Sequence, residues 1–256
     1  MSRKVIALLQ ARTDSTRLPK KVLKTILDKP MIIHQLQRTA QSHYINQLIV
    51  VTSSEDSDNT LADTIIKYGF ELYRGSKDNV LKRFYDAVES LNLLDEDIIV
   101  RLTGDCPLHD ATIIDESIEA FIRADCDYLA NCIHPTYPDG LDVEVFNFKS
   151  LKIAYLNTKL TSDLEHVTPY IRNSGKFNIQ NLEKEPIYNN WRLTVDEESD
   201  FNLITKIYQH FNSTLFSFDK IINFLEEHQE LLTINSNIQR NEGYLKSLKE
   251  DNDNKF

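Results

Sequence analysis

The feature that most constrains the fold is an alternation of short apolar runs with amphipathic helical patterns. Val5 to Gln10 reads as a buried strand and leads through a polar loop into a helix from Met31 to about Ser42. Gln47 to Thr52 repeats the pattern, followed by Leu61, Ile65, Ile66 and Tyr68 at roughly helical spacing. Phe70 to Tyr73 leads into a helix beginning near Asp78, and Ile98 to Thr103 into one near Thr112. Strands alternating with helices predict a mainly parallel sheet covered on both faces, an α/β/α sandwich. Ligands on such sheets sit beyond the carboxyl ends of the strands.

The second half breaks this rhythm. Leu141, Val143 and Val145 alternate with Asp142, Glu144 and Phe146, which predicts a half-buried strand with carboxylates on its other face, pointing somewhere wet or functional. Phe177 to Leu182 and Trp191 to Val195 read as two more strands. Residues 1–233 are expected to form a single domain, and the polar, Asn-rich stretch 234–256 a frayed tail with a short helix around Tyr244 to Glu250. Asp125-Cys126-Asp127 has the spacing of a metal-binding DxD but precedes an apolar run instead of following one, and it reads as a turn.

Between Gln10 and Leu23 the chain carries Arg12, Arg17, Lys20 and Lys21, although its formal net charge is -10. That overall charge argues against nucleic acid and anionic membrane as partners, because both require a surplus of surface cations. A local cluster can still hold an anionic small molecule, with cations in a fork and backbone N–H groups from a loop at a strand end. The alternative is a solvated surface loop. Neither a P-loop nor a dinucleotide-binding glycine pattern occurs. The three cysteines, Cys106, Cys126 and Cys132, lack CxxC spacing, so no disulfide framework or zinc site is expected and a cytoplasmic setting fits. The only apolar run at the start, Val5 to Leu9, is too short for a membrane span.

Arg101-Leu102-Thr103-Gly104-Asp105 and Arg192-Leu193-Thr194-Val195-Asp196 each place an aspartate at the end of an expected strand. Two such carboxylates meeting at one sheet edge suit Mg2+, whose remaining ligands are substrate phosphates and water. Each aspartate could instead cap a helix.

The string from Gln10 to Leu23, QARTDSTRLPKKVL, resembles the nucleotide-binding signature of the cytidylyltransferases that activate acidic sugars. It is most like the spore coat polysaccharide branch, with the acylneuraminate and 3-deoxy-manno-octulosonate cytidylyltransferases as more distant relatives. The resemblance implies a nucleotide-diphospho-sugar transferase fold of the GT-A-like Rossmann type, with CTP and an anionic small-molecule acceptor as substrates. It further implies that Arg12, Arg17 and Lys21 hold the triphosphate, that Gln10, Ala11 and Ser15 line the nucleotide site, and that Asp105 and Asp196 bind Mg2+. The family commonly has small residues, often glycine, where this chain has Asp14 and Lys20. Ser76 and Arg83, after the third strand, are candidates for cytosine recognition, although Ser76 or Asp78 could equally cap the next helix. Tyr137, Asp139, Asp142, Glu144, Glu165 and His166 fall in two strings that resemble the spore coat branch and imply an acceptor-binding and dimerisation segment over about 128–175. Without the resemblance, His166 reads as a helix-start histidine. Asn237, Arg240, Asn241, Glu242 and Gly243 fit a C-terminal pattern of the same branch. A homodimer is implied on the same ground. UTP- or GTP-using nucleotidyltransferases, a glycosyltransferase and a non-enzymatic sugar-nucleotide sensor are the competing readings.

Overall fold

The computed structural model describes residues 3–238, 240 and 242–253. Asn241 of the expected C-terminal pattern and the last residues of the expected tail, 254–256, lie outside the described residues.

The chain opens with β1 (Val5–Gln10), a small hairpin of β2 (Thr25–Ile26) and β3 (Lys29–Pro30), and α1 (Met31–Thr39). Three more strand–helix units follow: β4 (Gln47–Ser53) with α2 (Asn59–Lys67), β5 (Glu71–Gly75) with α3 (Val80–Glu89), and β6 (Ile98–Thr103) with α4 (Ala111–Ala124). Then come β7 (Tyr128–Ala130), β8 (Glu144–Asn147), α5 (Phe148–Asn157), α6 (Thr161–His166), α7 (Pro169–Asn173) and β9 (Ile179–Asn181). Three helices complete the described chain: α8 (Glu198–Phe211), α9 (Phe218–Glu227) and α10 (Glu242–Asp253). The main sheet has seven strands in the order β5-β4-β1-β6-β8-β7-β9. β8 runs antiparallel to both its neighbours, and the other pairings are parallel.

Alternate residues of β1 show why both faces are covered. Val5, Ala7 and Leu9 belong to an apolar cluster with side chains of α1, α4, α8 and α9, whereas Ile6 and Leu8 join one with α3, α5 and α7. Burying each Leu or Ile contributes about 1.5–3 kcal/mol, so the central strand is held from both sides, as expected for a three-layer α/β/α sandwich. Among the described residues no helix is long and apolar enough to cross a membrane.

Four local expectations change. The strand expected over 141–146 begins only at Glu144, because Asn131 takes the backbone ahead of it: its amide donates to Leu141 O and its carbonyl oxygen accepts from Val143 N, both at 2.8 Å. Phe146 is buried in the core, and Glu144, though also buried, lines a cavity instead of facing bulk solvent. Trp191 to Val195 does not join the sheet; it runs beside Asp139, with Leu193 N donating to Asp139 O at 2.6 Å. The strand expected over Phe177 to Leu182 shortens to β9. The tail is not frayed over its described part, since α10 packs against α6, and Asp251 accepts from Ser162 N at 3.2 Å. Asp125 to Asp127 is a turn as expected: Asp125 ends α4 in a left-handed conformation with φ 45, and Asp127 accepts from Asn178 N at 3.0 Å.

Candidate functional site

A cavity of about 670 Å³ opens at the carboxyl ends of β1 and β6, with the basic loop forming one wall. The loop is anchored from both sides. Gly104 N donates to Gln10 O at 2.7 Å, and a side chain on Gly104 would bring its Cβ within 2.9 Å of both Gln10 O and Ala11 Cβ. Glycine is therefore required where the two strand ends approach. On the other side the buried Asp58 accepts from Thr13 N and Thr13 Oγ1, each at 2.8 Å, and from Ser53 Oγ at 2.5 Å. Burial works to raise the Asp58 carboxyl, but those hydrogen bonds outweigh it and hold it below its ordinary value.

The two irregular loop positions have separate explanations. Lys20 adopts φ 56, ψ 25, a left-handed conformation that suits glycine, and its N–H closes the turn onto Thr13 O at 2.9 Å. Asp14 is neutralised by Lys77 at 2.8 Å and Arg12 at 3.3 Å. Lys20 plays no part in that compensation.

Lys21 is buried, and its Nζ donates to Val195 O and Asp196 Oδ1 at 2.8 Å and to Asp105 Oδ2 at 3.4 Å. Burial would depress its pKa, yet the two carboxylates raise it above the ordinary value, so it stays an ammonium ion. Asp105 shows the reciprocal effect: burial opposes its ionisation, but Lys21 keeps it well below the usual carboxylate range. Arg17 reaches the other oxygen of Asp196 at 3.0 Å. Arg12 is about half exposed over the same cavity.

Neither aspartate caps a helix. Glu197 is the N-cap of α8, in a reciprocal capping box with Asp200, and Asp110 caps α4. Segment 191–196 keeps the period of a strand although it lies outside the sheet, with Trp191, Leu193 and Val195 in the core and Arg192, Thr194 and Asp196 on the cavity wall. Its position is set by Gly140, at φ 103, where a Cβ would lie 2.4 Å from Leu193 C and Thr194 N, and by Val195 N donating to Asp105 O at 2.8 Å. Arg192 then orients three carboxylates, Asp139, Asp196 and Asp200, at 2.9–3.0 Å.

Arg83 on α3 lies deep under the loop and lines the cavity. Its Nη1 donates to Ser76 O at 2.8 Å, and burial, with Arg12 nearby, pushes its pKa down to about 10. Ser76 is off the cavity wall: it positions Arg83 through its carbonyl, and its hydroxyl accepts from Asn79 N at 3.1 Å. The cap of α3 is Asn79, whose side chain accepts from Lys82 N at 2.7 Å, in place of Ser76 or Asp78.

At the far end of the cavity the expected acceptor residues separate. Tyr137 is a core residue packed near Phe218 and does not line the cavity. Asp139, Asp142, Glu144, Glu165 and His166 do line it. Glu144 is engaged by Arg101, by Tyr128 Oη at 2.5 Å and by Thr168 Oγ1 at 2.6 Å. Burial would raise its carboxyl, but Arg101 and Arg172 outweigh that and bring it to about 2. Asp142 is pushed up to about 7 by burial, with Asp139 and Glu144 adding repulsion against the relief from Arg240, which donates to it at 2.5 Å. His166 ends α6, contrary to the helix-start reading, and burial pushes it down to about 4 despite Glu165. Its Nε2 lies 3.0 Å from Ser247 Oγ, which donates to Glu165 at 2.7 Å.

Arg101, Arg172, Arg192, Tyr244 and Ser247 also line the cavity, and none was singled out as a site residue from the sequence. Arg101 and Arg192 carried a signal, since each stands four residues before its aspartate in a repeated Arg-Leu-Thr-x-Asp. The others carried none, because only tertiary packing brings α7 and α10 here.

A family model described as Cytidylyltransferase matches residues 6–239. The chain is 36% identical over 243 residues to an uncharacterized protein of Methanocaldococcus jannaschii, covering 93% of this chain and 96% of that one. It is 33% identical over 215 residues to the spore coat polysaccharide biosynthesis protein SpsF of Bacillus subtilis, covering 80% and 86%. Among solved structures, a cytidylyltransferase from Leptospira borgpetersenii matches with a TM-score of 0.85 at 31% identity, covering 90% of this chain and 97% of that one. A basic strand-end loop, two facing aspartates and these likenesses along the chain together lead to one conclusion: the protein belongs to the cytidylyltransferase family and is a CTP-dependent nucleotidyltransferase.

Proposed function

We propose that the cavity transfers CMP from CTP to an acceptor bearing an acid group, with release of pyrophosphate, in the synthesis of a surface polysaccharide or glycoconjugate. The observation that carries this reading is the cavity's division. Arg17 and Lys21 engage Asp105 and Asp196, with Arg12 and Arg83 lining the same cavity, while elsewhere on its wall Arg101 pairs with Glu144 and His166 stands beside Glu165. An acceptor oxygen, already anionic in a phosphate or phosphonate and giving its proton to water or a cavity carboxylate where it is a hydroxyl, attacks the α-phosphorus as the bond to the β-phosphate oxygen breaks, and that oxygen leaves with the electron pair as pyrophosphate. Such transfer depends on positioning and charge neutralisation. Arg12, Arg17 and Lys21 hold the triphosphate and stabilise the departing charge, and Arg83 is placed for the nucleotide beneath the loop.

The donor set fits Mg2+. Asp105 and Asp196 already share one cation, the Lys21 ammonium. Among the described residues no cluster of three or more His, Cys, Asp or Glu could hold a metal, which suits an ion completed by phosphate oxygens and water. Bound there, Mg2+ would neutralise phosphate charge and polarise the α-phosphate. The expected homodimer and cytoplasmic setting belong to the same reading and rest on the resemblance alone.

Pyrophosphate release with each of the four nucleoside triphosphates, against 2-keto sugar acids, phosphosugars and phosphonates, tests this. CTP-specific release with one acidic acceptor is expected, and Asp105→Asn should reduce it at least ~100-fold. Equal use of UTP or GTP, or no CTP binding, would refute the reading.

A further inference from the structure

Arg172 is a cation on the cavity wall; burial opposes its charge, and Glu144 favours it without a direct ion pair. Among the described residues it makes no salt bridge, and its Nε is buried without a hydrogen-bond partner. Its nearest conspicuous carboxylate is already committed, because the oxygens of Glu144 are engaged by Arg101, Tyr128 and Thr168. The Arg172 guanidinium lies 5.4 Å from the centroid of the Tyr244 ring, and that ring stands edge-on to His166 at 5.3 Å. Burial leaves His166 neutral at pH 7, so it adds no competing charge.

Tyr244 and Ser247 belong to α10, and both line the cavity. Residues 6–239 are the stretch matched by the family, so this helix lies beyond it.

We propose that Arg172 receives the acid group of the acceptor, a carboxylate, phosphate or phosphonate oxygen pair, and that Tyr244 on the C-terminal helix shapes the space around it and so selects among acceptors. A guanidinium offers two parallel N–H donors to such a group, and a partly buried cation that makes no ion pair of its own gains from receiving one. The aromatic ring holds the guanidinium plane while leaving its donors available. This rests on the reading of the cavity as a CMP-transfer site.

The test is calorimetry on the full chain with a CTP analogue carrying a methylene bridge between the α and β phosphorus atoms, so that no transfer occurs. The analogue is titrated first; then 3-deoxy-manno-octulosonate, glucose 1-phosphate and 2-aminoethylphosphonate are titrated separately into the saturated protein. Analogue binding is expected for the wild type, Arg172→Gln, Arg172→Lys and Tyr244→Ala alike, with melting curves confirming that each is folded. At least one probe acid should bind the wild type, weaken more than tenfold in Arg172→Gln and recover in part in Arg172→Lys. Tyr244→Ala should change the ratio of affinities among the three probes. Unchanged probe binding in Arg172→Gln, or no probe binding to an analogue-saturated wild type, overturns the role of Arg172. Unchanged ratios in Tyr244→Ala overturn the role of the C-terminal helix. Failure of the analogue itself to bind counts against the CMP-transfer reading instead.

Discussion

Asp58 gives the sharpest test of how the basic loop is kept in place. Asp58→Ala removes a buried carboxylate that accepts from Thr13 N and Thr13 Oγ1 at 2.8 Å and from Ser53 Oγ at 2.5 Å. The Thr13 hydroxyl keeps a partner in Ser57 O at 2.8 Å, but the Thr13 N–H is buried and left with none. An orphaned buried donor costs about 1–3 kcal/mol, and a hydrogen bond to a charged acceptor is worth about 1.5–3 kcal/mol. These contributions overlap, and removing a desolvated charge offsets part of them, so the net loss is about 3 kcal/mol. For a chain of this size that lowers the melting temperature by about 6–12 °C. The loop also loses its register against β4, and affinity for CTP should fall about tenfold, or 1.4 kcal/mol. Asp58→Asn keeps an acceptor for Thr13 N–H and should lose less than half as much. Thermal denaturation followed by circular dichroism, together with CTP calorimetry, measures both effects. A melting point within about 1 °C of the wild type with unaltered CTP affinity would refute the anchoring argument.

On the proposed reading, Lys21→Ala should lower turnover at least ~100-fold, by removing a preorganised cation from the departing charge. It should also destabilise the protein, because Asp105 and Asp196 then face each other without their shared ammonium; a wild-type melting curve would contradict that. The Glu144 carboxyl is held at about 2 against an ordinary 4.5, so its stabilisation is fully present above pH 4.5 and is lost as pH falls towards 2. That shift corresponds to about 3 kcal/mol at neutral pH. Glu144→Gln should therefore cost several kcal/mol at pH 7, by leaving Arg101 without its charge partner, and progressively less in acid. Denaturant titrations at pH 7 and pH 3 measure the difference, and an equal loss at both would count against it.

The loop and the two aspartates were legible because their chemistry is local: a run of cations after a strand, and Asp105 and Asp196 at the ends of repeated Arg-Leu-Thr-x-Asp strings. The partner of Asp14 was not legible, because Lys77 comes from a segment more than sixty residues away. The partners of Glu144 were not legible for a related reason. Alternation predicts which residues share a face, but says nothing of what covers it, and here Arg101, Tyr128 and Thr168 cover it. Tyr137 lay in the right string but turned inward, as an aromatic side chain does where a core is available.

By itself the sequence determined the alternating strands and helices of the first half, the cationic loop at the first strand end and the identity of the paired aspartates, because each depends on residues near one another in the chain. Only the tertiary structure decided that Asp58 pins that loop, that segment 191–196 leaves the sheet yet delivers Asp196 to Lys21, and that α7 and α10 bring Arg172 and Tyr244 to the far end of the cavity. Those outcomes depend on contacts between distant segments, whose energies arise only once both are packed, and no local pattern records them.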